Sequence, residues 1–80
     1  MTMLAVFRSR VQALDALSLL KGAGVPSQAV STPKEAGIGC GVSVKFDCNF
    51  FPRVRPLLAK RRYSAFWGYL RICGGAFVRV

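Results

Sequence analysis

Met3-Leu4-Ala5-Val6-Phe7-Arg8-Ser9-Arg10-Val11-Gln12 changes its hydrophobic period in mid-course, and that change decides how the rest of the chain is read. Met3 to Phe7 is apolar with no polar alternate, the pattern of a strand buried on both faces in the middle of a sheet. The run stops at Arg8. Ser9 followed by Gln12 matches a capping box, in which the serine hydroxyl and the glutamine amide satisfy the first free N–H groups of a helix starting at Arg10. Ala13, Ala16, Leu17 and Leu20, with Leu14 beside them, then fall on one helical face, while Gln12, Asp15, Ser18 and Lys21 lie outside it. Gly22, Gly24 and Pro26 supply the stop.

Outward from this unit, Gln28 to Ser31 reads as a short second strand, and Val42 to Asp47 as a third. The third alternates strictly, with Val42, Val44 and Phe46 facing a core and Ser43, Lys45 and Asp47 facing water. Asp47 to Asn49 can cap a second helix reaching about Arg62, with Val54, Leu57 and Leu58 inward. Pro56 must kink that helix or delay its start. Ala65 to Ile72 is a fourth strand. Gly74-Gly75 permits a two-residue hairpin, so residues 73–80 form either a fifth strand or a frayed tail beyond a domain of residues 1–72. The order strand, helix, strand, strand, helix, strand predicts an α+β, ferredoxin-like sandwich with both helices on one face of an antiparallel sheet.

Composition narrows the function. Eighty residues allow one modest core and no cleft between lobes. The chain has no histidine, which excludes Ser-His and Cys-His catalysis within it, and three cysteines without a CxxC pair, which disfavours a metal site. An odd cysteine count suits free thiols in a reducing, cytoplasmic setting. No apolar run approaches the roughly 18 residues of a membrane span, and Arg8, Arg10 and Asp15 fall where a signal peptide would be apolar. The formal charge of +9 permits attraction to any anionic partner without selecting one.

Thr32-Pro33-Lys34-Glu35-Ala36-Gly37-Ile38-Gly39-Cys40-Gly41 is the candidate working loop. Gly37, Gly39 and Gly41 clear side chains from around the Cys40 sulfur and free the backbone N–H groups to turn toward a bound group. The alternative is a plain β–β connection whose cysteine is an apolar filler. In the expected topology the end of strand 1, the start of helix 1, the end of strand 2 and the start of strand 3 share one sheet edge. Cys40 then lies near Arg8, Ser9, Arg10 and Lys34 and near the positive end of the helix dipole, which favours a thiolate or persulfide. Glu35 reads as a solvated loop charge, and Thr32 and Pro33 as turn-shaping residues. Cys48 and Cys73 belong to the opposite edge, both as buried fillers.

Phe7-Arg8-Ser9, the Ala13 to Leu20 face, Gly24-Val25-Pro26, Thr32-Pro33-Lys34-Glu35 and Cys40-Gly41-Val42 together resemble the small bacterial Se/S carrier protein-like domains, over about residues 3 to 72. The resemblance implies a ferredoxin-like cytoplasmic domain that holds sulfur or selenium on Cys40 and exchanges it with a transfer enzyme, without catalysis of its own. Two other readings stand beside it. One is a basic nucleic-acid module using Lys60-Arg61-Arg62-Tyr63 with Phe66, Trp67 and Tyr69. No base-reading motif accompanies that patch, so such binding would be weak and salt-dependent. The other is a structural domain that pairs subunits through the apolar tail or a sheet face.

Overall fold

The computed structural model describes residues 1–37 and 41–80, with Glu35 described by its backbone alone. Its elements are β1 (Thr2–Phe7), α1 (Arg10–Gly22), β2 (Ser27–Ser31), β3 (Val42–Asp47), α2 (Phe51–Arg61), β4 (Phe66–Cys73) and β5 (Ala76–Arg79), with 3-10 turns at Lys34–Ala36 and Cys48–Phe50. All strand pairs are antiparallel, in the order β2-β3-β1-β4-β5. The first four strands and the two helices form the expected ferredoxin-like sandwich. The tail adds β5 through a hairpin whose two glycines take φ of 55° and 83°, the left-handed pair that a tight two-residue turn requires.

As the middle strand β1 is paired along both edges, and it is buried on both faces, Met3, Ala5 and Phe7 on one and Leu4 and Val6 on the other, which accounts for its unbroken apolar run. Met3, Ala5 and Phe7 enter the core beneath the helices, together with Ala13, Ala16 and Leu20 of α1, Val54 and Leu58 of α2, and Val44, Phe46 and Tyr69. The two alanines allow α1 to approach the sheet closely. Each large side chain buried there contributes about 1.5–3 kcal/mol. Leu14 is exposed, one step off this stripe.

The other face departs from the expected pattern. Leu4, Val6 and Leu70 form a second buried cluster, flanked by Val30, Trp67, Ile72, Phe77 and Ala36. Ala36, in the 3-10 turn after β2, thus packs on this sheet face. Ser43, expected in water, is buried, and its hydroxyl is paired with Thr32.

Helix 2 follows the 3-10 turn, whose first turn is capped by Asp47 accepting from the Asn49 N–H at 2.8 Å. Pro52 occupies the first turn of α2, where a missing N–H costs nothing. Pro56 neither ends the helix nor delays it: only the Pro52 carbonyl loses its partner, and Pro52 is exposed to water. Cys48 is half-buried against the helix-side core, but Cys73 is exposed at the end of β4, which corrects its expected role as a filler. Among the described residues no helix is long and apolar enough to cross a membrane.

Candidate functional site

The site is built at the sheet end where β1 and β2 finish and β3 begins. Val42 pairs with Phe7 on one side and with Ser31 on the other, so these three residues form a row across the sheet. Gly41 precedes that row in β3's strand direction, and Arg8 follows it on the neighbouring strand. The Thr32 N–H donates to the Gly41 carbonyl at 3.1 Å and draws the two ends of the connection together. The Thr32 and Ser43 hydroxyls, 2.9 Å apart, brace that closure from the buried side.

Within the connection, Pro33 is extended (φ −65°, ψ 148°) and Lys34–Ala36 makes a single 3-10 turn, with Lys34 exposed. Gly37 closes the turn at φ 72°, its N–H on the Lys34 carbonyl at 3.0 Å. A side chain there would be strained, so the glycine is a backbone requirement. Gly39 and Cys40, and the Glu35 side chain, lie outside the described residues.

Arg8, Ser9 and Arg10 lie where β1 gives way to α1. Ser9 is the N-cap, extended at φ −117° and ψ 123°, and its hydroxyl accepts the Gln12 N–H at 3.2 Å. The first turn of α1 holds no acidic residue, and Arg8 and Arg10 are exposed, so two guanidiniums add to the positive end of the helix. The second half of the expected capping box does not form. The Gln12 amide instead reaches the α2–β4 turn, accepting the Ala65 N–H at 2.8 Å and donating to the Ser64 hydroxyl at 2.9 Å. Ala65 in turn accepts the Arg8 N–H at 2.8 Å. With both backbone groups committed to β1 and α1, Ala65 belongs to the turn and β4 starts one residue later than expected.

Further side chains near this end carry no local sequence signal. The Arg79 guanidinium stacks over Trp67 with its central carbon 4.0 Å from the ring centroid, and its Nη2 donates to the Trp67 carbonyl at 2.9 Å. Gly68, at φ 146°, leaves room for it: a Cβ there would lie 3.4 Å from Arg79 Nε. On the helix side, the Tyr63 hydroxyl donates to Asp15 at 2.7 Å, and Arg61 also faces Asp15 at 3.7 Å. Burial, helped by the Asp15 carboxylate, pushes Tyr63 up to about 12; burial does the same to Tyr69.

The aromatic residues of the nucleic-acid reading do not share a surface. Tyr69 is buried in the helix-side core and Phe66 packs against it, whereas Trp67 lies on the opposite face beneath Arg79. Stacking of successive bases needs rings side by side on one open face. Among the described residues no group of three metal-ligating side chains is assembled.

The family model described as "Putative Se/S carrier protein-like" matches residues 2–65, from the first residue of β1 to the last before β4. No curated protein and no solved structure matches the chain. With a family match over four-fifths of its length, on elements that assemble the expected sandwich, the chain belongs to the Se/S carrier protein-like family.

Proposed function

We propose that the protein is a sulfur or selenium carrier that holds the chalcogen on Cys40 and exchanges it with a partner transfer enzyme in the cytoplasm. The observation that supports this reading is the Thr32–Gly41 backbone bond, which closes the ends of the connection that contains Cys40, at the sheet end where β1 gives way to α1 and where Arg8 and Arg10 are exposed. The family match supports it. Positive potential favours a thiolate over a thiol, and the thiolate is the species that accepts sulfane sulfur.

The exchange is redox-neutral. A Cys40 thiolate attacks the outer sulfur of a persulfide on the donor enzyme. One S–S bond forms as another breaks, and the donor cysteine leaves as a thiolate. Unloading is the same step toward an acceptor nucleophile, and transfer of selenium follows the same course. Thr32, Pro33, Lys34, Glu35, Gly39 and Gly41 shape the loop, and Arg8, Ser9 and Arg10 supply the positive field. In this reading the partner enzyme provides the catalysis and the chain carries the chalcogen.

The test is sulfur transfer from a cysteine desulfurase with labelled cysteine, read by intact mass and by peptide mapping. The wild type and Cys73→Ser should each gain one sulfur atom on Cys40, and Cys40→Ser should gain none. Cys73 must be included because its exposure makes it the competing thiol. Equal labelling of Cys40→Ser and wild type would reduce Cys40 to a loop residue and end the carrier reading.

A further inference from the structure

We propose that the cavity between α2 and β4 binds a small carboxylate with an aromatic or branched apolar body. The fifth strand carries the sheet past the edge of the helix layer, and β5 places no residue in the core beneath the helices. The space left beside α2 is a cavity of about 400 Å³, floored by Phe51, Leu58, Phe66 and Tyr69, with Arg55 and Arg62 also lining it. This falls within the roughly 300–1,000 Å³ of small-molecule sites, and an apolar floor with a few polar groups is their usual make-up.

Charge selects the ligand class. No aspartate or glutamate lines the cavity, although Val80, the last residue of the sequence, does, and the one ion pair among the described residues joins Arg61 to Asp15, so neither Arg55 nor Arg62 is held in an ion pair among them. Two guanidiniums beside an aromatic floor match an anionic head on an apolar body, since a carboxylate can accept paired N–H bonds while its body displaces water from the rings. Arg62 is the one described non-glycine residue with positive φ, at 51°. This left-handed residue is the C-cap of α2, its N–H donating to the Ala59 carbonyl at 3.3 Å, and it turns the chain at the edge of the cavity. The Tyr69 hydroxyl, with its pKa pushed up to about 12, keeps its proton at neutral pH and adds a neutral donor. The site is independent of Cys40 and stands or falls apart from the carrier function.

Amide-resolved NMR titration of the full chain with 3-phenylpropionate, and with 3-phenylpropionamide as its neutral counterpart, tests this. Saturable shifts are expected at Phe51, Leu58, Phe66 and Tyr69, with a Kd of about 1 mM for a ligand of this size. Arg55→Gln and Arg62→Gln should each weaken binding about tenfold, as should the amide, while Lys60→Gln, on the same helix outside the cavity, should not. Four outcomes overturn the proposal: no saturable shifts, amide binding equal to the acid, arginine variants with unchanged affinity, or an equal loss in Lys60→Gln, which would mean attraction to net charge alone.

Discussion

Gln12 holds Ala65 across 53 residues of chain: its side-chain oxygen accepts the Ala65 N–H at 2.8 Å while its amide nitrogen donates to the Ser64 hydroxyl at 2.9 Å. One side chain thus ties the first turn of α1 to the turn that launches β4, and Arg8 completes the tie through the Ala65 carbonyl. Gln12→Ala leaves a half-buried N–H without a partner and should cost about 1–3 kcal/mol in a denaturant melt. Gln12→Glu keeps the acceptor and loses the donor, so it should cost less. A Gln12→Ala protein as stable as the wild type would show that water replaces the amide there.

The Thr32–Ser43 pair should behave as a unit. Ser43 is fully buried and its hydroxyl is partnered by Thr32 at 2.9 Å, so Thr32→Val strands it at a cost of about 1–3 kcal/mol. In Thr32→Val/Ser43→Ala neither polar group remains. The double variant should be more stable than the two single losses added together, and the coupling is read from a double-mutant cycle of melts. Strict additivity would mean that the two hydroxyls do not interact.

Gly68→Ala should destabilise by about 1–3 kcal/mol, because φ of 146° is closed to ordinary side chains and the methyl would press on Arg79. Trp67 is the single tryptophan, so its fluorescence reports the displacement of Arg79 directly. Arg79→Ala should produce the same spectral change with a smaller loss of about 0.5–1 kcal/mol. Unchanged emission in both variants would place the guanidinium away from the ring.

Both tyrosines should titrate late. In the fold Tyr63 and Tyr69 hold their protons to about 12, whereas unfolded tyrosine ionises at 10.0. A raised folded value contributes stability that is complete below pH 10 and is lost as pH climbs through 12, since the unfolded state releases its protons first. Tyrosinate absorbance of the native protein should therefore show no step at 10, and Asp15→Asn should bring Tyr63 part of the way back. A native step at 10 would mean both hydroxyls are freely solvated.

The existence of each element was legible because its signals are short-range. The apolar run of β1 marked a central strand, Ser9 marked the start of α1, the alternation from Val42 marked β3, and Gly74-Gly75 marked a hairpin. Gln12 shows where that legibility stops. At the third helical position its amide suits a reciprocal cap and a distant turn equally well, and only the pairing of β1 with β4 brings Ala65 within its reach. Pro56 does not delay the start of α2, because one lost hydrogen bond on an exposed helix face is cheaply replaced by water.

By itself the sequence determined the order of elements, the helix-side core, the basic N-terminus of α1 and the family, because periodicity, caps and motifs act over a few residues. Only the tertiary structure decided that Ala36 packs on the second sheet face, that Ser43 is buried, that Cys73 is exposed, and that the aromatic side chains after Arg62 divide between two faces. Those outcomes depend on strand register and on which surfaces the fifth strand leaves uncovered. A one-residue shift in register turns every side chain to the other face, and no local pattern records it.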